Sequence, residues 1–181
     1  MTRCAGLTRA AAMAYRVLAE QNVTALPVDP LALLRKCRGT EVCTYADAAA
    51  RLGMTDAAFE RACGVAEAFT LAQGDCFIIC YRAEGNPARQ RFTLAHELGH
   101  RVLGHTARDP ASEREADTFA SHLLCPRPVL QALRFAGADE SEMARVFYVT
   151  RRCIREILRQ PETEIPVDLL DKVGGMMLSR I

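Results

Sequence analysis

The spacing of apolar positions predicts a mostly helical chain with one short β-rich stretch. In residues 8–21 the apolar side chains recur three and four positions apart, which predicts a helix with one buried face. Asp29 is placed to cap a second helix that starts at Pro30, because a proline at the first helical position loses no hydrogen bond. The following segment predicts a short strand at 41–45 and short helices at 46–52 and 55–63.

Two β-rich runs in the middle of the chain predict a hairpin. They cover residues 67–72 and 75–82, and Gln73 and Gly74 separate them. A turn at Asn86-Pro87 ends this stretch, and the pattern then returns to helical spacing.

Two longer helices are predicted after the hairpin. Apolar residues at 92, 95, 99, 102 and 103 form one face of the first. Gly99 costs a helix about 1 kcal/mol relative to alanine, which is explicable if another element or a metal site approaches closely there. The second helix covers 112–124, with Ser112 as its N-cap and Glu115 as the capping-box partner.

The last part of the chain is predicted to be helical again. Helices are expected at 128–135, 142–147 and 151–159, and Thr150 is placed to cap the third. The last two resemble a helix-turn-helix, whose second helix carries Arg151, Arg152, Arg155 and Arg159. Beyond it, Gly174-Gly175 is expected to loosen the chain, so that the final residues are either mobile or cover an apolar groove.

Composition narrows the class of protein. The chain has 181 residues, half of them apolar, which is enough for one sizeable core. Its 23 basic and 22 acidic residues leave a net charge of +1, so no bulk attraction to nucleic acid or to a membrane surface is expected. The eight cysteines form no C-x-x-C pair, and no apolar run approaches the roughly 20 residues that span a bilayer. No signal peptide is recognisable, so we expect reduced thiols and a cytoplasmic protein, with Cys76 and Cys80 facing the core.

The most informative chemical signal is His96-Glu97-Leu98-Gly99-His100. Two histidines four positions apart lie on one face of a helix and can hold a zinc ion. Glu97 can then act on a zinc-bound water, which is the H-E-x-x-H arrangement of metallopeptidases. Three fixed letters in five recur by chance in unrelated helices, so the residues around the motif decide its meaning.

The following helix supplies candidates for a third ligand. A catalytic zinc usually has three protein ligands and one water. Glu113 and Asp117 share a helix face, which suits a ligand glutamate and an aspartate that accepts the free ring N–H of a metal-bound histidine. Glu115 points away and better suits capping. The alternative is that these acidic residues only complement the positive end of the helix.

The two other histidines are not expected to be ligands. If the first long helix continues, His105 lies about 140° around it from His100, away from the metal face. His122 lies about half a turn around the second helix from Glu113 and about two and a half turns further along its axis.

Several pieces of the chain together follow one known pattern. They are RQRFTLAHELGH (89–100), LGH (103–105), EREADTFA (113–120) and LLCP (123–126), with LPVDP (26–30) and CFIICY (76–81) before them. This set resembles the ImmA/IrrE family of zinc-dependent metallo-endopeptidases. The resemblance implies a gluzincin-like site in which His96, His100 and Glu113 hold one Zn²⁺, with Glu115 as the fallback ligand and Glu97 as the catalytic residue.

The resemblance also implies an α+β fold. A mostly helical, zincin-like core would cover 1–128, with a small, mainly antiparallel sheet beside the H-E-x-x-H helix. A C-terminal helical subdomain, similar to a helix-turn-helix, would cover 129–181 and pack on the core. An edge strand in such enzymes can bind extended substrate by strand addition, and we expect 75–82 to border the cleft in this way. A purely structural hairpin is the alternative.

The resemblance implies that the function is cleavage of a regulatory partner protein, such as a transcriptional repressor, by a zinc-bound water that Glu97 activates. Tyr81 and Tyr148 are candidates for a donor to the oxyanion. The alternative is a non-catalytic regulatory module that binds a repressor or DNA through the C-terminal helices. Nucleic-acid binding is not favoured, because the domain is not strongly basic and the turn lacks the glycine often found there. No membrane partner is expected.

Overall fold

The computed structural model describes residues 2–64, 67–73, 76–107, 109–160 and 164–179. Its helices are α1 Thr2–Glu20, α2 Pro30–Lys36, α3 Tyr45–Arg51, α4 Asp56–Cys63, α5 Pro87–Leu103, α6 Pro110–Leu124, α7 Arg127–Phe135, α8 Glu140–Phe147, α9 Arg151–Arg159 and α10 Val167–Leu178. Its strands are β1 Thr40–Thr44, β2 Ala68–Gln73 and β3 Cys76–Tyr81. The predicted α+β class is confirmed: the fold is mostly helical, with one small sheet and C-terminal helices.

Local capping signals explain where the short N-terminal elements begin. The Asp29 carboxylate accepts hydrogen bonds from the backbone N–H groups of Leu31 and Ala32, at 3.0 and 3.1 Å, so α2 starts at Pro30 as predicted. Thr44 ends β1 and forms a capping box with Asp47 at the start of α3. The strand therefore turns into a helix without a loop.

The sheet has the strand order β1-β3-β2 and is mixed. β2 and β3 pair antiparallel as a hairpin, and β1 pairs parallel to β3 on the other side. The predicted turn at Gly74 lies outside the described residues. The expectation that 75–82 binds substrate as an edge strand is wrong, because β3 is the central strand and pairs with β1 on one side and β2 on the other. The strand beside the H-E-x-x-H helix is β2.

The two faces of the sheet belong to different apolar clusters. Ile79 of β3 lies in the main core, whereas its neighbour Cys80 packs in a smaller cluster with Cys43, Tyr45 and Phe59. Both clusters follow from the alternation of side chains along a strand. Cys76 is exposed, contrary to expectation, because it starts β3 opposite the end of β2, where neither cluster reaches.

The C-terminal helices share the main core with the N-terminal ones. Buried residues on both sides of the predicted boundary at 128 belong to one cluster: Tyr15, Leu18, Phe119, Leu123, Val129, Phe147, Ile154, Val173 and Met177. Gly174-Gly175 does not loosen the chain, since both lie inside α10. A Cβ on Gly174 would lie 3.1 Å from Cβ of Pro128, so the glycine lets α10 pack closely against the start of α7.

α8 and α9 form the helical pair expected from the sequence. Tyr148 adopts a left-handed conformation (φ 51°) in the turn, where glycine is more usual, and Thr150 caps α9 as predicted. Arg91 of α5 donates hydrogen bonds to the carbonyl oxygens of Tyr148, at 3.2 Å, and of Val28. These bonds tie α5 to the turn between α8 and α9 and to the segment before α2. In the described part of the chain, no helix is long and apolar enough to cross a lipid bilayer.

Candidate metal centre

α5 carries both histidines of the motif on one face. Asn86 caps its N-terminus with Pro87 at the first position, and Gly104 ends it in a left-handed conformation (φ 72°). The Nε2 atoms of His96 and His100 are 2.9 Å apart. The two imidazoles therefore point toward one place, as the spacing of four predicts.

α6 brings a carboxylate to the same place. The Glu113 oxygens lie 3.2 Å from Nε2 of His96 and 3.4 Å from Nε2 of His100. Ligand atoms about 2.0–2.2 Å from a tetrahedral zinc stand about 3.4 Å apart, which is close to these separations. His96, His100 and Glu113 could therefore hold one metal ion.

The start of α6 differs from the prediction. Its N-cap is Asp109, which forms a capping box with Ser112, so the predicted N-cap Ser112 lies at the third helical position. Glu115 is consequently not a capping partner. Its Oε2 lies 3.2 Å from Nε2 of His105, whereas Glu113 lies at the two motif histidines. The sequence left these two glutamates open as ligands, and the geometry favours Glu113.

Asp117 lies at the outer nitrogen of His96. Its Oδ1 is 2.9 Å from Nδ1 of His96, the contact expected of a carboxylate that orients a metal-bound histidine. Burial favours the neutral ring, but the hydrogen bond and charge of Asp117, with the charges of Glu97 and Glu113, outweigh it and raise the pKa of His96. In the metal-free protein, the His96 ring is therefore protonated at a higher pH than an ordinary histidine, and protons compete with a metal ion for it up to that higher pH.

Gly99 lets α5 and α6 approach closely at the centre. A Cβ there would lie 3.1 Å from Cδ1 of Phe119 and 3.2 Å from Cα of Ala116. The expectation that another element approaches this glycine is confirmed. The approach of α6 at this point brings the Glu113 carboxylate within reach of both histidines.

Glu97 is buried, with 2% of its surface exposed. The hydroxyl of Thr70, on β2, donates a hydrogen bond of 2.5 Å to its Oε2. A buried carboxylate is costly without such partners. Sequence reasoning missed Thr70, because nothing in a short β-rich run indicates which helix residue a threonine will face.

The structure places His105 in contact with His100, which the sequence did not predict. Its Nδ1 lies 3.0 Å from Nδ1 of His100. The 140° argument assumed a continuing helix, but α5 ends at Leu103 and Gly104 turns the chain back. The N–H of His105 then bonds to the carbonyl of His100 at 3.0 Å, which places the two rings together. The glycine just before His105 was the available signal for this turn.

The remaining candidates lie elsewhere. His122 is fully buried, and neither of its ring nitrogens has a hydrogen-bond partner among the described residues. Tyr81 packs against the main core. The ring of Tyr148 lies against the Arg91 guanidinium, 5.3 Å from its carbon.

A groove of about 670 Å³ lies between the start of α5, the outer face of α6 and α9. Asp117 lines it, so the groove adjoins the metal centre. Its other lining residues include Arg89 and Phe92 of α5, Ser121 of α6, and Arg152 and Glu156 of α9.

Two helix-borne histidines and a glutamate, with a second glutamate buried inside the histidine motif, define a metallopeptidase-type domain. Comparison with protein families agrees: residues 73–158 match the IrrE N-terminal-like domain, Peptidase_M78. Over this segment the resemblance to the ImmA/IrrE family seen in the sequence is confirmed. The match includes α5, α6 and α9. A search of curated proteins found no significant match.

Proposed function

We propose that the protein is a zinc-dependent metallo-endopeptidase that hydrolyses a peptide bond in a regulatory partner protein, such as a transcriptional repressor. The observation that carries the proposal is the convergence of His96, His100 and Glu113 beside the buried Glu97. Two imidazoles and one carboxylate are a donor set that zinc prefers in hydrolytic sites. The family match supports a peptidase. The substrate class is carried over from the ImmA/IrrE resemblance of the sequence.

The chemistry divides between the ion and the side chains. Zinc in this site would supply a Lewis acid that makes water acidic and polarises the scissile carbonyl. Glu97 would accept a proton from the attacking water while the oxygen bonds to the carbonyl carbon, and would deliver that proton to the amine as the C–N bond breaks. Thr70 holds Oε2 of Glu97, so the carboxylate keeps one orientation during both transfers.

The groove beside Asp117 supports a polypeptide substrate. Its volume of about 670 Å³ is far larger than a single water site requires, and Asp117, which lines it, contacts the candidate ligand His96. Its walls combine an aromatic ring, Phe92, with charged ends on Arg89, Arg152 and Glu156. Such a lining suits a peptide segment, which has both apolar and polar parts. The cysteines at 37, 43, 63, 76, 80, 125 and 153 are free, which suits a reducing compartment, so we propose that the reaction takes place in the cytoplasm.

The test compares wild type with Glu97→Gln during co-expression with candidate repressors from neighbouring genes. We expect a new repressor fragment with wild type only, and equal zinc content in both proteins, because glutamine cannot act as the base but leaves the ligands in place. Glu20→Gln, which removes a charge from the exposed end of α1, is the matched control and should cleave like wild type. Cleavage by Glu97→Gln at the wild-type rate would contradict the general-base role.

Metal analysis tests the ligands separately. Wild type should hold about one zinc per chain, and His100→Ala should lose it. A wild-type protein without zinc affinity would remove the basis for peptidase activity. Salt-sensitive retention on DNA without any cleavage would instead favour the regulatory module, acting through the exposed Arg151, Arg152 and Arg159 of α9.

A further inference from the structure

We infer that His105 and Glu115 form a hydrogen-bonded relay that orients His100 as a metal ligand. Three side chains follow one another outward from the centre: Nδ1 of His100 lies 3.0 Å from Nδ1 of His105, and Nε2 of His105 lies 3.2 Å from Oε2 of Glu115. The inference rests on metal binding at the proposed centre, and not on proteolysis.

The proton positions in this chain have one self-consistent arrangement. Nε2 of His100 faces His96 and Glu113, so a metal would take its lone pair and leave the proton on Nδ1. Nδ1 of His100 then donates to Nδ1 of His105, which must accept and therefore carries its own proton on Nε2. That proton is donated to the Glu115 carboxylate. Every ring nitrogen along the chain thus has a partner of the right kind.

The relay is the counterpart of the contact between His96 and Asp117. Each motif histidine has an outer nitrogen directed at a carboxylate, reached directly for His96 and through an intervening imidazole for His100. The two arms differ in exposure: the Asp117 side chain is 59% exposed, whereas His105 and Glu115 are 11% and 22% exposed. Because hydrogen bonds are stronger away from water, the less exposed pair, His105 and Glu115, is well placed to hold His100 in one orientation.

α1 closes the outer end of the relay. A Cβ built on Gly6 would overlap Oε1 of Glu115, so the glycine leaves the space that the carboxylate occupies. Arg9, one turn further along α1, donates a hydrogen bond of 3.1 Å to the carbonyl of Leu103, just before the turn that carries His105. Both contacts place α1 against the segment that forms the relay.

Gly6→Ala separates a role in metal binding from a role in folding. The added methyl group would displace only the mobile end of the Glu115 side chain, and alanine favours an α-helix over glycine. We therefore expect the metal-free variant to unfold at the same or a higher denaturant concentration than wild type, while its zinc affinity falls about 10-fold or more in a chelator competition. A purely structural glycine would change both quantities in the same direction.

Variants of His105 test the middle of the relay. His105→Phe keeps a ring and loses both nitrogens, and should weaken zinc binding about 10- to 100-fold. His105→Asn keeps an acceptor near the position of Nδ1 and should restore part of that loss. Glu115→Gln should weaken binding less than His105→Phe, and Glu20→Gln, about 21 Å from Gly6 along α1, should not change it.

The zinc-binding measurements on these variants test the relay separately from the proposed peptidase activity. Wild-type zinc affinity in Gly6→Ala and His105→Phe, with both proteins folded, would overturn the relay while leaving the proposed peptidase intact. Equal losses in His105→Phe and His105→Asn would also overturn it, because the hydrogen bond to His100 would then have no part in the effect. Weaker zinc binding in Gly6→Ala and His105→Phe, with zinc affinity partly restored in His105→Asn, would establish the relay. A wild-type protein that binds no zinc would instead overturn the metal centre, and the relay with it.

Discussion

Thr70 donates a hydrogen bond of 2.5 Å to Oε2 of Glu97, and so links the outer strand of the sheet to the middle of the metal-binding helix. The contact joins segments 27 residues apart in the chain. Hydrogen bonds to charged groups contribute about 1.5–3 kcal/mol, more than those between neutral groups. The threonine is therefore well suited to hold the carboxylate in the orientation that proton transfer needs.

Thr70→Val should lower kcat for partner cleavage about 10- to 100-fold, because valine has nearly the same shape but cannot donate to Glu97. Zinc content should remain that of wild type, since Thr70 is not among the candidate ligands. Steady-state kinetics on a purified partner would measure the effect, with Thr70→Ser as the control that restores the hydroxyl. An unchanged kcat in Thr70→Val would show that Glu97 needs no help from β2.

Asp117→Asn should weaken zinc binding about 10-fold or more, because the neutral amide polarises the His96 ring less than a carboxylate does. In the metal-free protein the same change should lower the pKa of His96, since the Asp117 hydrogen bond and charge raise it. Chelator competition measures the first effect and an NMR titration of the histidine ring measures the second. An unchanged pKa of His96 in Asp117→Asn would show that Asp117 does not raise it.

Gly99→Ala should destabilise the protein and weaken zinc binding together. Its Cβ would meet backbone atoms of Ala116 and the ring of Phe119 at 3.1–3.3 Å, and overpacking of this kind costs about 1–3 kcal/mol. Gly175→Ala is the matched control: it lies in α10 with nothing within 4 Å of the added Cβ, so it should stabilise by up to about 1 kcal/mol. Urea unfolding of both variants checks the contrast.

Local signals predicted much of this molecule. Asp29 and Thr150 begin their helices as expected, because a cap depends on residues within one turn. The histidine pair could be proposed from spacing, since both residues lie within a regular helix where spacing sets direction, whereas Glu113 and Glu115 both stayed open as the third ligand. Nothing in that reasoning depended on how distant segments meet.

Contacts between distant segments could not be predicted in the same way. The central position of β3 depends on its pairing with β1, and the sequence pattern of the hairpin carries no information about that pairing. His105 was misplaced because one left-handed glycine, Gly104, ends the helix on which the angle was calculated. Thr70 reaches Glu97 only because of how the sheet packs on α5. The errors at β3 and Thr70 concern tertiary geometry, whereas the error at His105 concerns the local end of a helix.

His122 should make the metal-free protein sensitive to mild acid. It is fully buried, and burial, followed by the nearby Arg127 charge, lowers its pKa from 6.5 to about 4. The unfolded chain therefore binds more protons than the folded one between these values. The contribution of neutral His122 to the free energy of unfolding is full above pH 6.5 and falls, by about 3 kcal/mol in total, as the pH drops toward 4.

Urea unfolding in the presence of a chelator, at about pH 7 and about pH 4.5, measures this effect. The free energy of unfolding should fall less in His122→Phe than in wild type, because phenylalanine cannot take up the proton but keeps a ring near Tyr15. Equal losses in the two proteins would mean that His122 accepts its proton as readily in the folded state as in the unfolded one.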